Sequence, residues 1–250
     1  MKRIAVFLLL LFSLDSAFAL TAYEMVKKSE YLVRGNTNQG ILEMTIATPY
    51  FTRTLKMHIW NKGLKKTFVR IFSPAKEAGI GSLKMGDEMW NYLPAIEKII
   101  KIPPSMMMSA WMGSDFSNDD VVKESSIVED YNHRILTEER LSGYDAYKIE
   151  CIPKENAPVV WGKIYFWLRK SDHLPLKQEY YDEKGKLIKV LESIEVGSMG
   201  GRVIPILSEM RTIGKENSKT TLRVREMSFD VSIADSVFTL RHLQTLRAKE

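Results

Sequence analysis

The stretch that decides the fold reads LIKVLESIEV over Leu187–Val196, GSMGG over residues 197–201 and RVIPILSEMRT over Arg202–Thr212. The two outer runs are rich in branched apolar residues and have the length typical of β-strands, and the glycines between them are typical of a tight turn. Strands joined by so short a connection run antiparallel. The sequence therefore predicts a β-hairpin here.

Predicted strands of the same kind fill most of the chain on either side of this hairpin. In the first half, Leu42–Ile46 and Leu55–Ile59 alternate apolar and polar residues, as half-buried strands do. Short turns separate the strands, and no region alternates strand with helix. We therefore expect one mainly β (α+β) domain over residues 20–250, built as an antiparallel meander. The other predicted strands are Leu64–Phe72, Glu88–Leu93, Lys98–Ile102, Arg134–Arg140, Tyr144–Ile152, Val160–Arg169, Leu174–Tyr181 and Thr220–Phe229.

The amino end has the composition of a secretory signal peptide. Two basic residues precede an apolar run over Ile4–Leu14, and Ala17–Ala19 supplies the small residues that a signal peptidase requires. We therefore expect residues 1–19 to be removed and the exported chain to begin at Leu20. Because residue 20 is not a cysteine, lipid anchoring by this route is not expected. In a bacterium with two membranes, these features predict a soluble periplasmic protein.

Two stretches depart from the strand pattern and predict helices. Ala22–Arg34 has apolar residues at helical spacing, with Thr21 as its N-cap and Gly35 at its end. Ser114–Glu124 is acidic and compatible with a helix, with Ser117 as the candidate N-cap. Its aspartates also suggest a calcium site, but the EF-hand spacing and closing Glu are missing, so helix capping is the favoured interpretation.

A methionine-rich segment, PPSMMMSAWMG, lies between the two halves of the strand pattern at residues 103–113. Pro104 is a suitable first helical residue. A helix over Pro104–Met112 would be apolar nearly all round, because three consecutive methionines point in different directions. Such a helix must be covered by protein, membrane or ligand. The segment is therefore predicted to be either an adaptable apolar lid or a buried core helix.

The reactive residues do not predict an enzyme. None of the four histidines stands in a metal-ligand spacing, and no Gly-x-Ser-x-Gly elbow is present. Cys151 is the single cysteine, so no intrachain disulfide is expected, and its strand position predicts a buried apolar role. The formal net charge of +5 is mild and the basic residues are scattered, so nucleic acid is not a predicted partner. We expect no catalytic residues, metal or cofactor.

Consecutive stretches in the first half carry a resemblance to a known family. They read FSPAKEAGIG at 72–81, GDEMWNYLP at 86–94, IPPSMMM at 102–108 and GSDFSNDD at 113–120. In these stretches, and in overall length and element order, the chain resembles the outer-membrane lipoprotein-sorting protein family, the group related to the periplasmic lipoprotein carrier LolA. The resemblance implies a single unclosed antiparallel β-barrel, with helices covering the concave face as a lid over a lipid-binding cavity.

Within the implied fold, the methionine-rich segment is the predicted lid and neighbouring apolar strand faces are the predicted cavity. Methionine is flexible and polarizable, which suits a surface that accepts variable apolar partners. The alternative is that these side chains simply fill a barrel interior. Arg53, Arg70 and Lys84 are candidates for a lipid head group, although such scattered charges are usually solvated. The predicted lid residues are Met106, Met107, Met108, Trp111 and Met112, and the predicted cavity residues are Leu42, Met44, Ile46, Leu55, Met57, Ile59, Val69 and Ile71, with Trp90 and Tyr92 at the rim.

Two classes of function stay open at this stage. The preferred one is a monomeric periplasmic carrier or acceptor of lipids or lipoproteins, which binds acyl chains and works with an inner-membrane lipid-exporting permease, as the resemblance implies. The alternative is a periplasmic sensor or regulatory interaction module on the same scaffold. A carrier exchanges its lipid, whereas a sensor holds a protein partner whether or not lipid is present.

Overall fold

A computed structural model describes residues 20–123, 126–157 and 159–245. The predicted signal peptide, residues 1–19, lies outside the described residues. The described strands form one antiparallel sheet, and nearly every strand predicted from the sequence is found in it. The strands are β1 (Thr37–Ala47), β2 (Thr52–Lys62), β3 (Lys66–Ser73), β4 (Gly81–Met85), β5 (Glu88–Leu93), β6 (Lys98–Lys101), β7 (Tyr131–Leu141), β8 (Tyr144–Pro153), β9 (Lys163–Arg169), β10 (Pro175–Tyr181), β11 (Leu187–Met199), β12 (Arg202–Thr212) and β13 (Lys219–Phe229).

The order of strands in the sheet is β6-β5-β4-β3-β2-β1-β13-β12-β11-β10-β9-β8-β7. Strands β1–β6 form one meander and β7–β13 form a second one. The two meanders are joined by pairing of β1 with β13, from Asn38 opposite Phe229 to Ala47 opposite Lys219. Strands β6 and β7 are the two edges of the sheet and do not pair with each other. The predicted unclosed antiparallel barrel is therefore confirmed.

Helices and an irregular connection cover the concave face of this sheet. Helix α1 (Ala22–Arg34) begins as predicted: Thr21 Oγ1 accepts from the Glu24 backbone N–H at 3.3 Å, and the Glu24 carboxylate accepts from the Thr21 N–H at 2.8 Å. It ends at Gly35, whose positive φ of 64° is open to glycine without the steric strain that a side chain would cause. Helices α2 (Asn118–Lys123) and α3 (Ser126–Glu129) lie in the connection between β6 and β7. Helix α4 (Leu240–Gln244) packs on the opposite face of the sheet.

The connection between β6 and β7 contains the methionine-rich segment that was predicted to be the lid. From here on, the name lid is used for this connection from Pro103 through α2. The predicted helix over Pro104–Met112 is wrong. Two 3-10 turns, Pro104–Met106 and Trp111–Gly113, take its place. Met112 has a φ of 53° and Gly113 a φ of 73°, which a right-handed helix cannot contain. Because the segment is apolar in every direction, no single helical face exists that packing against the sheet would select.

Further along the same connection, the predicted acidic helix is found as α2. Ser117 caps it as expected: its Oγ accepts from the Asp120 N–H at 3.3 Å, and the Asp120 carboxylate accepts from the Ser117 N–H at 2.6 Å. These reciprocal bonds form a capping box, with aspartate in the place more often taken by glutamate. Helix capping is thus the role that the structure gives to Asp120.

Apolar side chains are buried on both faces of the sheet. On the concave face, one cluster packs around α1 and β8–β9, and a second packs between β1–β3 and the β6–β7 connection. On the opposite face, Phe68, Leu83 and Tyr92 pack against Leu243 of α4. Cys151 is fully buried in the first cluster, and burial raises the pKa of its thiol, so it stays a protonated apolar residue as predicted. Among the described residues, no helix has the length and apolar character needed to cross a bilayer.

The close pairing of β1 with β13 leaves no room for a side chain at Gly40. A Cβ placed on Gly40 would lie 2.1 Å from the Glu226 carbonyl oxygen across this pairing. Because two backbones cannot separate without breaking the ladder, we expect Gly40→Ala to lower the free energy of unfolding by about 2–3 kcal/mol in a urea titration. Gly197→Ala is the matched control, since the new Cβ would meet only the end of the Ile206 side chain. Equal destabilisation by both substitutions would contradict this account.

Candidate functional site

An apolar cavity lies between the concave face of the sheet and the β6–β7 connection. It has about 120 Å³ of space that water-sized molecules could occupy, which is well above what a single water molecule needs. Strands from both meanders form its floor, and Trp111, Phe116 and Val121 form its cover. The apolar side chains that line it are Leu42, Met44, Met57, Ile59, Val69, Trp111, Phe116, Val121, Ile127, Trp161, Ile164, Leu191, Met210 and Leu222.

Three of the five predicted lid residues pack onto the sheet, and two face away from it. Met107 and Trp111 are buried in the cluster on β1–β3, and Met112 packs against the same cluster. Met106 and Met108 are 47% and 46% exposed. The segment therefore has an inner apolar surface over the sheet and an outer surface that carries methionines. The sequence pattern does not distinguish these two surfaces, because methionines occur on both.

The predicted cavity residues all join one cluster beneath the lid, but only some border empty space. Leu42, Met44, Met57, Ile59 and Val69 line the cavity. The remaining three are buried in the same cluster without lining the cavity: Ile46, Leu55 and Ile71.

The predicted rim residues Trp90 and Tyr92 do not lie at this cavity. The alternation along β5 points both side chains to the opposite face of the sheet, where they join the cluster around Phe68. Met89, their neighbour in sequence, is the residue of β5 that packs under the lid. The correct face could not be chosen from the sequence, because both faces of β5 are covered, one by the lid and the other by α4.

Polar contacts fasten the lid to the sheet on both meanders. The Trp111 indole Nε1–H donates to Ser82 Oγ on β4, with 3.0 Å between the two atoms. On the other meander, Asp115 accepts from Thr220 Oγ1 of β13 at 2.8 Å and from Thr212 Oγ1 of β12 at 2.7 Å. The lid thus crosses the concave face and is anchored on strands of both meanders.

A buried ion pair makes a further attachment of the lid. The Lys189 ammonium on β11 contacts the Asp120 carboxylate of α2, and both side chains are almost completely buried. Lys189 Nζ also lies 4.6 Å from the centre of the Trp161 ring, an arrangement in which the ring attracts the cation. Asp115 and Asp120 therefore bind protein groups, in keeping with the structural role favoured over calcium. No cluster of potential metal ligands occurs within the described ranges.

A cluster of hydrogen-bonded polar side chains also lines the cavity, beside the end of α1. Arg34, at the end of α1, donates from Nη2 to Asn61 Oδ1 at 3.2 Å and lies 3.3 Å from the Glu30 carboxylate. Asn61 also binds Asn38 at 2.8 Å and accepts from Thr67 Oγ1 at 2.7 Å. These residues were not predicted from the sequence. An arginine in the last turn of a helix is ordinary at a solvent-exposed end, and only the tertiary structure buries this one.

The three basic residues considered for a lipid head group have structural partners instead. Arg70 is buried on the face away from the cavity, where it donates to the Gly79, His242 and Leu243 carbonyl oxygens. Lys84 is also buried and donates to the Leu64 carbonyl oxygen at 2.8 Å. Arg53 pairs with Glu77 and contacts the Met112 carbonyl oxygen, so it helps to hold the lid. The expectation that Arg70 and Lys84 are solvated is therefore wrong.

Solved structures with the same fold come from several bacteria. A DUF1329 family protein from Desulfovibrio piger is 23% identical, with a TM-score of 0.80, over 89% of this chain and 97% of that one. A domain from Vibrio parahaemolyticus described as an outer membrane lipoprotein-sorting protein is 21% identical, with a TM-score of 0.79, over 90% and 98%. A LolA superfamily protein from Nitrosomonas europaea is 22% identical, with a TM-score of 0.76, over 90% and 100%. At these identities the similarity establishes the fold.

A comparison of the sequence with protein-family models identifies the family of this chain. A family model whose description reads "Uncharacterized protein" matches residues 63–245, which is most of the chain. No curated protein matches the sequence. The fold implied by the resemblance is confirmed by structures from three organisms. The chain therefore belongs to the family of uncharacterized proteins whose model spans residues 63–245, and it has the LolA-like fold of the outer-membrane lipoprotein-sorting proteins that its sequence resembles.

Proposed function

We propose that this protein is a periplasmic carrier or acceptor of lipids or lipoproteins, which binds acyl chains in the apolar cavity beneath its lid. The observation that carries the proposal is the cavity itself. It lies between an apolar sheet face and an apolar cover, and most of its lining surface is apolar. A protein that only needed a core would fill this space with side chains, because protein interiors are close-packed.

The free energy available from an acyl chain fits reversible binding. Each methylene group moved from water into an apolar site contributes about 0.8 kcal/mol, so one long chain gains on the order of 10 kcal/mol before any cost is subtracted. Movement of the lid, with its buried Met107 and Trp111, offsets part of that gain. The lid and the acyl chain thus compete for the same apolar surface, which allows release as well as binding.

The outer surface of the lid supports a role for a partner protein. Met106 and Met108 expose about half of their side chains to solvent on the segment that covers the cavity. Exposed methionine is typical of surfaces that adapt to more than one partner. We expect the monomeric carrier to meet an inner-membrane transporter at this segment, so that contact with the partner and movement of the lid are coupled. In this proposal the protein binds and transfers; it does not catalyse a reaction.

The first experiment is mass spectrometry of the lipids that co-purify with the protein from its native compartment. A lipid or acylated peptide at near-stoichiometric amount supports the carrier and identifies its cargo. An empty protein that also takes up no fluorescent acyl chain contradicts the proposal. Stable capture of a protein partner in the absence of lipid would instead favour the sensor.

Filling the cavity tests the binding site directly. Leu222 of β13 lines the cavity and is only partly buried, so Leu222→Trp should occupy empty space and lower the amount of bound lipid at least about fivefold, with little loss of stability. The matched control is Thr221→Trp, because the neighbouring residue of a strand points to the opposite face. Lipid is quantified after purification, and thermal unfolding checks the fold of both variants. Unchanged lipid content in a folded Leu222→Trp variant would contradict the assignment.

Weakening an attachment of the lid should speed ligand exchange. Lys189→Met leaves the buried Asp120 carboxylate without its cation, so we expect the free energy of unfolding to fall by about 3 kcal/mol and release of a bound fluorescent fatty acid to accelerate severalfold. Stopped-flow transfer to acceptor vesicles measures release, and Lys186→Met on the exposed preceding turn is the control. An unaltered release rate in a folded variant would show that the lid does not control exchange.

A further inference from the structure

A second cavity adjoins the first and extends between α1 and the second meander. It has about 170 Å³ of space that water-sized molecules could occupy, and it shares Leu42, Ile59, Leu191 and Leu222 with the first cavity. Arg34, Asn61 and Gln178 also line both, so these polar side chains lie where the two cavities meet. The two cavities are therefore neighbours, and they are called the first arm, under the lid, and the second arm, beside α1.

Polar groups make up a larger share of the lining surface in the second arm than in the first. Ser29, Asn38, Ser193 and Ser208 line the second cavity and not the first. Two basic side chains also line it, and each has a carboxylate partner. Arg34 pairs with Glu30, and Lys177 lies 2.7 Å from the Glu179 carboxylate. The arm is therefore polar but charge-compensated.

The wall of this arm includes a gap in the hydrogen-bonded sheet. Strands β11 and β12 pair along nearly their whole length, from Lys189 opposite Thr212 to Met199 opposite Arg202. In contrast, β12 pairs with β13 only from Leu207 to Met210. Pro205, which has no N–H to donate, lies in the part of β12 that leaves the ladder. Residues on both sides of the gap line the second cavity: Ile204, Pro205, Ser208, Val224 and Met227.

The far end of the gap is closed by Arg202, the first residue of β12. Its guanidinium contacts the Asp230 carboxylate and donates to the Tyr31 carbonyl oxygen at the end of α1 at 2.5 Å. It also stacks 4.5 Å from the centre of the Phe229 ring. The β11–β12 hairpin is thus held at its tip to α1 and to the end of β13, while residues 203–206 of β12 are not paired with β13.

We propose that the second arm is a head-group site for a lipid whose acyl chain lies in the first arm, and that it selects an uncharged, hydrogen-bonding head such as an acylglycerol or an amide. This inference rests on the proposed function and specifies its ligand. Hydroxyl, ester and amide groups match the serine and amide side chains of the arm. A free carboxylate or phosphate would add an uncompensated charge to a site whose cations are already paired, which is costly in a poorly hydrated space.

The test compares head groups on an identical chain. Purified protein is loaded with a fluorescent acyl probe, which is displaced by 1-lauroylglycerol, laurate or dodecyl phosphate below their micelle concentrations, at a pH at which both acids are ionised. We expect 1-lauroylglycerol to displace the probe at a concentration at least about tenfold lower than either anion. Equal or better displacement by an anion would overturn the head-group assignment, even though it would support acyl-chain binding. A protein that binds no probe at all would overturn both proposals.

A pair of substitutions on β12 locates the head group. Ser208 lines only the second arm. Ser208→Phe should therefore weaken the binding of 1-lauroylglycerol at least about tenfold, while the binding of the acyl probe should change by no more than about twofold. Leu207→Phe, which adds its ring on the other face of the same strand, is the control. If Ser208→Phe does not fold, Val224→Phe probes the same arm from β13. Equal effects on glycerolipid and probe would overturn a separate head-group site.

Discussion

An apolar sheet face that does not close on itself must be covered by something else, and this constraint shapes the protein. The edges β6 and β7 are unpaired with each other, so the concave face stays open. The chain has to travel from one edge to the other to begin its second meander. That connection therefore passes over the open face and becomes its cover. It is anchored on the way by Ser82, Thr220 and Lys189, one strand after another.

The cover is not packed as a core would be. A core helix fits one continuous ridge into a groove, whereas this connection combines short turns with short helices and is held by separate polar contacts. Trp111 and Met107 are buried against the sheet, and the cavity remains beside Trp111. Polar contacts of this kind are specific in direction and modest in net free energy, so they fix the position of the segment without adding greatly to its stability.

Most strands could be predicted from the sequence because a strand buried on one face alternates apolar and polar residues, and this alternation is visible in a short stretch of sequence. Strand β4 was missed, since Gly81–Met85 is buried on both faces and shows no alternation. Trp90 and Tyr92 were placed on the wrong face for a related reason: alternation separates two faces but does not say which is concave. The predicted lid helix failed because composition cannot distinguish a covered helix from a covered loop. Arg34 could not be recognised, because its burial depends on strands far away in sequence.

The pairing of β1 with β13 also has a consequence for how the molecule folds. Every other pairing in the sheet joins strands that are neighbours in sequence, whereas this one joins Asn38 to Phe229, near opposite ends of the described chain. Local hairpins form quickly, but a contact across so many residues must first overcome the entropy of closing a long loop. Because a chain is synthesised from its amino end, β1 lacks its partner until the last strand has been made. Each meander would then wait with its apolar face exposed, and the protein would depend on rapid completion, or on a chaperone, to reach its folded state without aggregating.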